Sequence, residues 1–396
     1  MERVFLDIAI ILIFTKCFGL MTKRVHLPQV VGALIAGIVL GPSLLGIVPQ
    51  SDEIILLSEM GVIILLFNAG LETDISVMKR SLKAYLIIGV IEVVFSLIVG
   101  FIFAKFFAMD LMHSIFIGVL LTATSLGITV EALSEMGKIK TVAGLSILGI
   151  AVVDDILGII VLTLALNLGS GSSLSPMAFC LIIGKIMLFF IFAFVAGIIV
   201  NKIFEKIYAV SGNKHRLSIL AIAFCFAMAW AAEWFGLADI TGAYLAGLAL
   251  SKTRSSKYVE GKSSILSYVL FSPIFFASIG LKTDLHQLTS SILIFAVLYI
   301  VIACFTKVVG NYVGARMVKF ASMDALLIGI GMMSRGEVTL IMANKGLDAG
   351  ILSSEYFPAI IIMVIGTTLI TPLLLTYFFK IKDRHDEATL VREVKK

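Results

Sequence analysis

The amino-acid sequence predicts an all-α polytopic membrane protein with about 13 transmembrane helices, arranged as two inverted repeats. Composition is the first reason. Of the 396 residues 60% are hydrophobic and 14% are charged, whereas about 25% of the residues in soluble domains are charged. The second reason is that apolar runs of about 20 residues, the length of a helix that crosses a bilayer, follow one another with short polar breaks. This composition excludes intrinsic disorder. A net charge of +5 spread over the whole chain excludes a basic nucleic-acid-binding domain.

The apolar runs between polar breaks predict the individual spans, which we number in chain order. Their odd number places the two termini on opposite sides of the membrane. The predicted spans are 4–22, 28–48, 53–71, 82–107, 112–134, 142–168, 176–203, 215–235, 237–251, 262–280, 289–316, 322–345 and 355–379.

Lysine and arginine residues indicate the orientation, because cytoplasmic loops of membrane proteins carry an excess of both. Alternate loops, together with the tail after Phe379, hold most of them. The opposite loops hold only Arg3, Lys105, Lys282 and Lys345. We therefore expect a protein of the cell (inner, cytoplasmic) membrane with its N-terminus outside and its C-terminus in the cytoplasm.

An internal repeat is the third reason for the predicted fold. Residues 31–37 resemble 241–247, residues 70–74 resemble 280–284, and residues 125–127 resemble 334–336, at offsets of 209 to 210 residues. The matches pair span 2 with span 9, span 3 with span 10, and span 5 with span 12. Partners seven spans apart cross the membrane in opposite directions, so spans 1–6 and 8–13 form an inverted repeat. Inverted repeats are typical of secondary transporters, although a duplication without a transport role is the alternative.

Cysteine and histidine residues predict neither a cofactor nor a transition-metal centre. The four cysteines lie in apolar runs and none forms a CxxC pair, and no two of the five histidines have metal-ligand spacing.

Ionisable side chains near span centres are the candidate functional residues, because such groups are costly in lipid and persist mainly where they function. Asp154 and Asp155 are neighbours in span 6 and point about 100° apart on a helix. One of them can pair with Lys307 of span 11, while the other faces a cavity. Two adjacent like charges are mutually destabilising unless one binds a proton or a cation, so a purely structural ion pair explains this pattern poorly.

A second pair of charges, Arg335 and Glu337, lies in span 12. These two could neutralise each other, either as a structural pair or as part of the site. One carboxylate of the whole set is then left to bind a proton or a small cation. This count assumes that three further acidic residues lie nearer the membrane surface: Glu72, Glu92 and Glu131.

Spans 5 and 12 have polar, glycine-containing centres at matching positions of the repeat, residues 122–127 and 334–337. Non-helical backbone at this depth occurs only inside protein or beside a water-filled cavity. We therefore expect both helices to be broken and to cross each other, with hydroxyl and carbonyl oxygens available to a hard cation. Helix packing through small residues is the alternative.

These residues together resemble the monovalent cation:proton antiporter-2 family, bacterial and archaeal sodium/proton antiporter type. The resemblance covers residues 1–380 and rests on the Asp154-Asp155 pair, Lys307, Gly70-Leu71-Glu72 and residues 334–337. It implies that Asp155 is the main cation and proton carrier and that Asp154 pairs with Lys307. It implies further that Thr124 and Ser125 line the site, supported by Arg335, Glu337 and Glu72. An Asp-Asp pair together with a lysine resembles the electrogenic members.

The resemblance also implies a division of the helices and a homodimer. Spans 1–3 (1–81) and 8–10 (215–280) correspond to a dimer scaffold, and spans 4–6 (82–168) and 11–13 (289–379) to a mobile core. Span 7 (176–203) is a linker. Residues 380–396 are expected to be a short cytoplasmic tail without a fold of their own.

The predicted function is therefore exchange of sodium, or lithium, for protons by alternating access, with both ions competing for Asp155. It is not enzymatic, and its partners are these ions, membrane lipid and a second copy of the chain. Alternatives are a potassium/proton antiporter of the same fold, a cation-coupled solute symporter and a channel. An intramembrane aspartyl protease would need its two carboxylates to face each other, whereas Asp154 and Asp155 point apart.

Overall fold

The computed structural model describes residues 2–24, 28–73, 75–169, 176–211, 214–282 and 290–394, and every regular element in these ranges is helical. A π-helical turn, Ser267–Phe271, joins two of the helices into one rod, and a 3-10 turn, Ser354–Tyr356, precedes the last helix. The helices are α1 (Glu2–Arg24), α2 (Gln29–Leu40), α3 (Asp52–Glu72), α4 (Ile75–Phe106), α5 (Leu111–Leu120), α6 (Leu126–Glu135), α7 (Val142–Gly169), α8 (Pro176–Ser211), α9 (Lys214–Trp234), α10 (Asp239–Leu250), α11 (Ser256–Leu266), α12 (Ser272–Leu281), α13 (Ser290–Met317), α14 (Ser322–Gly331), α15 (Glu337–Asp348) and α16 (Phe357–Val394).

The exterior of the described part of the chain is apolar. Nine helical segments there are long and apolar enough to cross a membrane, and α2, α5, α10 and α14 are shorter apolar helices. On α8, Met187, Leu188 and Ile191 each expose more than half of their surface. An apolar exterior of this extent is stable against lipid rather than water. The protein is thus an all-α multi-pass membrane protein, as the sequence predicts, while the total number of spans stays a prediction.

Several helices run beyond the apolar segments from which they were predicted. The helix of span 4 begins at Ile75 rather than residue 82, and that of span 7 ends at Ser211 rather than residue 203. The helix of span 10 begins at Ser256 rather than residue 262. Hydropathy marks only the part of a helix that lies in lipid, whereas packing also holds turns beyond it, as the buried Phe204 and Val259 show.

Both helices that the sequence predicts to be broken are broken. Residues 121–125 separate α5 from α6, and residues 332–336 separate α14 from α15. In the first gap the Thr122 hydroxyl donates to the Val119 carbonyl at 2.7 Å. Bonds of this kind offer the backbone an alternative to the helix.

Two glycine contacts show the inverted repeat in three dimensions. Gly37 of α2 lies against Gly280 of α12, and Gly70 of α3 lies against Gly247 of α10. The offset of 210 residues relates Gly37 to Gly247 and Gly70 to Gly280, so the two contacts are equivalents of each other. A Cβ atom on Gly37 would lie 2.1 Å from the Ala277 carbonyl oxygen, and one on Gly247 2.1 Å from that of Phe67. Only glycine permits this approach of the helices.

Residues 380–394, which the sequence predicts to be a tail without a fold of their own, continue α16 without interruption. This segment contains no Gly or Pro and is rich in helix formers. Two ion pairs hold it to neighbouring elements: Lys382 with Asp324 at 2.5 Å and Lys138 with Asp383 at 2.6 Å.

Candidate cation site

The two helix breaks meet at the centre of the molecule. The Ser125 amide donates to the Ser334 carbonyl at 2.9 Å, and the Ser334 hydroxyl donates to the Ser125 carbonyl at 2.5 Å. Both serines are fully buried. The breaks therefore cross, as predicted, and they satisfy part of each other's backbone.

Asp154 of α7 points toward this crossing and is 2% exposed. Its Oδ2 accepts hydrogen bonds from Lys307 Nζ at 2.7 Å and from Thr124 Oγ1 at 2.9 Å. Among the described residues its Oδ1 has no hydrogen-bond partner. The first aspartate thus shares one oxygen between a cation and a hydroxyl, and its second oxygen has capacity to accept a further bond.

Glu92 of α4 is a third carboxylate at the site. Its Oε2 lies 2.6 Å from Lys307 Nζ, and neither side chain is exposed. The Ser96 hydroxyl donates to Glu92 Oε1 at 2.6 Å. The expectation that Glu92 lies near the membrane surface is therefore wrong, whereas the expectation for Glu131, which is 8% exposed, stays a prediction. Hydropathy could not reveal this, because one acidic residue barely changes the mean of a long apolar run.

The Lys307 ammonium group consequently lies within 2.8 Å of three oxygens, two of which accept hydrogen bonds from it and one of which forms an ion pair. They belong to Asp154, Glu92 and the Thr122 carbonyl, the last at 2.8 Å. The Thr122 carbonyl lies just beyond α5, where helical carbonyls lack intrahelical partners. The ammonium group thus links two carboxylates to the end of a broken helix.

Arg335, also fully buried, donates to the carbonyls of Ala123 at 2.6 Å and Ala303 at 3.4 Å. The carbonyl of Arg335 accepts a bond from Thr368 at 2.7 Å. Arg335 therefore stabilises the opened backbone of the other break, because carbonyl ends of helices favour positive charge. The predicted partner Glu337 begins α15, and its side chain lies outside the described residues.

Asp155, the second aspartate, is partly exposed and accepts a 2.7 Å hydrogen bond from Thr241 Oγ1 of α10. Our sequence reasoning did not single out Thr241. A signal for it existed, because Thr241 opens the repeat motif 241–247. That motif revealed the duplication but not which of its residues faces α7.

A cavity of about 780 Å³ leads to the aspartates, and its lining includes Asp154, Asp155 and Thr124. Toward its mouth it is lined by Gln50, which follows α2, and by Lys282 and Lys345, near the ends of α12 and α15. Asp154, Asp155 and Thr124 supply the oxygen ligands that a hard monovalent cation prefers.

Two further residues that the sequence predicts for the site lie elsewhere. Ser125 lies in the crossing, and Glu72 ends α3 half-buried. Neither lines this cavity.

A helical membrane protein with an inverted repeat, two crossing helix breaks and a carboxylate pair at the base of a cavity is a secondary transporter. Residues 9–381 match the sodium/hydrogen exchanger family, transmembrane, and the chain belongs to that family.

Named relatives span nearly the whole chain. An Na+/H+ antiporter of Enterococcus hirae is 35% identical over 94% of this chain and 97% of its own length. The Na+/H+-K+ antiporter GerN of Bacillus cereus is 38% identical over 97% and 98%, respectively. The fold is also that of the sodium proton antiporter MjNhaP1 of Methanocaldococcus jannaschii. Its structure at pH 8 has a TM-score of 0.68 and 19% identity and covers 94% of this chain and 95% of its own.

Proposed function

We propose that this protein exchanges sodium, or lithium, for protons, and that cation and proton compete for Asp155. The observation that carries the proposal is the different surroundings of the two aspartates. Asp154 is fully buried against Lys307, whereas Asp155 is partly exposed, accepts a hydrogen bond from the Thr241 hydroxyl and lines the cavity. A carboxylate at the wall of an open cavity is accessible to both a proton and a hard cation. The relatives named Na+/H+ antiporters support sodium and protons as the exchanged ions.

The exchange proceeds by alternating access in this proposal. The cavity reaches the aspartates from the side of Lys282 and Lys345, which is the outside by the distribution of Lys and Arg. The core comprises spans 4–6 and 11–13, and it moves against a scaffold of spans 1–3 and 8–10, which pairs with a second copy. The hydrogen bond from Thr241 on the scaffold to Asp155 on the core breaks in that movement.

The proposed exchange is electrogenic, because the cluster around Lys307 can release a second proton. A cation that also binds Asp154 removes one of the two anionic partners of Lys307. The second proton then leaves the pair that Lys307 forms with Glu92. Two protons are thus exchanged for one monovalent cation. Lys307→Ala is expected to reduce the dependence of exchange on membrane voltage. An unchanged voltage response would remove Lys307 from the coupling.

The direct test is proton flux, reported by a pH-sensitive dye, in proteoliposomes under imposed sodium, lithium or potassium gradients. Asp155→Asn is expected to abolish exchange. The matched control is Asp52→Asn, which changes an exposed carboxylate at the start of α3 and is expected to leave exchange intact. Normal exchange by Asp155→Asn would contradict the assignment, and cation flux without proton movement would indicate a channel.

Potassium/proton exchange is the second candidate, because one relative is named an Na+/H+-K+ antiporter. Oxygen ligands alone do not distinguish the two alkali cations. The same assay separates them, since exchange that is driven by potassium and not by sodium would favour this alternative.

A further inference from the structure

A second cavity, of about 290 Å³, lies at the end of α2 opposite the large one. It lies among α1, α2, α6, α12 and the π-helical turn, and Gln29, the first residue of α2, lines it. The large cavity instead reaches Gln50, beyond the other end of α2. The site described above uses none of the residues that line the smaller cavity.

Glu131 is the unexplained group in this cavity. It lines the cavity and is 8% exposed, and within the described residues it has no hydrogen bond or ion pair. Glu135, one turn further along α6, is partnered instead. Its carboxylate accepts bonds from the amides of Gln29 at 2.6 Å and Val30 at 3.2 Å. A buried carboxylate without a partner is costly unless a positive charge or a proton joins it.

The residues that line the cavity carry two carboxylates and one basic group. Lys16 is the one lysine or arginine among the described lining residues, against the carboxylates of Glu131 and Glu135. The ammonium group of Lys16 lies 3.4 Å from the Tyr268 hydroxyl and 3.5 Å from Gln29 Oε1. An occupant with a positive charge would give Glu131 the ionic partner that it lacks among the described residues.

The walls of the cavity favour an organic cation over a metal ion. A metal ion such as sodium is best held by several oxygens, and oxygen atoms are a minority of this lining. Much of the remaining lining is apolar: Leu12, Val30, Ala33, Val269, Pro273 and Phe276. Ligand sites of small organic molecules combine apolar walls with a few polar groups in this way.

We propose that this cavity binds a small primary ammonium compound with an apolar body, its charge on Glu131 and its apolar part against Ala33 and Phe276. Glu131 lies six residues, about 9 Å, along α6 from the helix crossing. The occupant that we propose is a free amine. Tyr268 and Val269, at the cavity wall, belong to the π-helical turn, and such turns often occur at functional sites.

The cavity lies between α6 of the proposed core and α1, α2 and α12 of the proposed scaffold. A bound amine would therefore hinder movement of one against the other. This consequence rests on the proposed function, whereas the binding itself does not.

The test is calorimetric titration of the full-length, detergent-purified protein with benzylammonium, with benzyl alcohol as the neutral probe of the same shape. We expect benzylammonium to bind and benzyl alcohol to bind at least tenfold more weakly. Glu131→Gln, which removes only the charge, should weaken benzylammonium binding at least tenfold. Ala33→Leu should do the same by filling the cavity. Equal binding of the two probes, or unchanged binding to Glu131→Gln, would overturn the proposal.

Two control variants locate the site. Glu59→Gln changes a carboxylate of the large cavity and should leave benzylammonium binding unchanged, as should Asp155→Asn. Loss of binding in Asp155→Asn, or competition by sodium, would place the amine in the large cavity and refute the proposal. Failure of Asp155→Asn to abolish exchange would instead count against the proposed function and would not affect the conclusion that the smaller cavity binds an amine.

Discussion

Ser125 and Ser334 occupy equivalent positions of the two repeats, 209 residues apart, and hydrogen-bond to each other at the helix crossing. The Ser334 hydroxyl also lies 3.1 Å from that of Thr129, which donates to the Gly331 carbonyl at 2.7 Å. The pseudo-twofold axis of the repeat therefore passes close to the point where the two breaks meet. Backbone groups that each break leaves open are partly satisfied by the other.

Removal of this contact should destabilise the crossing. Ser334→Ala leaves the buried carbonyl of Ser125 without its donor, which costs on the order of 1 kcal/mol. We expect a lower midpoint of thermal unfolding for the purified protein. Ser354→Ala, at an exposed serine of the 3-10 turn, is the control and should unfold like the native protein. Equal midpoints for the two variants would show that the Ser125–Ser334 bond contributes nothing.

Lys307 should stabilise the protein in addition to its role in the proposed coupling, because it neutralises two buried carboxylates. Lys307→Ala leaves both charges uncompensated, and breaking a buried ion pair in this way costs about 3–5 kcal/mol. Adding Glu92→Gln removes one surplus charge and should restore part of the loss. Denaturant titration of the single and double variants measures both effects. The three-membered cluster would be refuted if the double variant were no more stable than Lys307→Ala.

Thr241 should influence which side of the membrane the aspartates face. Thr241→Val removes the bond between α10 and Asp155 of α7. A loss of about 1 kcal/mol changes a two-state ratio about fivefold, so the population open to the large cavity should fall. The measurement is labelling of Ile159→Cys, at the cavity wall, by a membrane-impermeant thiol reagent in a background without the native cysteines. Thr241→Ser keeps the hydroxyl and should label like the parent, and equally fast labelling of Thr241→Val would contradict the prediction.

The glycine contacts between repeats should tolerate no side chain. Gly247→Ala places a Cβ atom 2.1 Å from the Phe67 carbonyl oxygen, and overpacking of this kind costs about 1–3 kcal/mol. Gly261→Ala is the matched control, because a Cβ atom there has no neighbour within 4 Å. Alanine is also the better helix former, so Gly261→Ala should unfold at or above the native temperature and Gly247→Ala below it. If Gly247→Ala were as stable as the control, α3 and α10 would not be held at this distance by glycine.

Prediction from sequence succeeded where the information is local along the chain. Hydropathy located the helices, because the apolar length that crosses lipid is a property of each segment. It did not locate the ends of α4, α8 and α11, nor the helical residues 380–394, because hydropathy marks only the part of a helix that lies in lipid. The polar centres of spans 5 and 12 predicted two breaks, since open backbone is tolerated inside a membrane only within protein or beside water.

Prediction was weaker where a side chain's partner is distant in the chain. The sequence does not indicate that Arg335 donates to the carbonyls of Ala123 and Ala303, and its pairing with Glu337 stays a prediction, because that side chain lies outside the described residues. Both carbonyls reach Arg335 only because the fold places the break after α5, which holds Ala123, and α13, which holds Ala303, next to it. Backbone acceptors carry no residue-specific signal, so composition and spacing could not identify them.

The sequence by itself determined that the chain is a multi-pass helical protein with an inverted repeat and a pair of acidic residues in one span, because hydropathy, repetition and charge are written along the chain. Only the tertiary structure decided that Glu92 joins Asp154 at Lys307, that Thr241 contacts Asp155 and that a cavity reaches the aspartates. The physical reason is that these features arise between helices, where packing selects which buried groups meet. Hydrogen bonds and ion pairs then stabilise that arrangement.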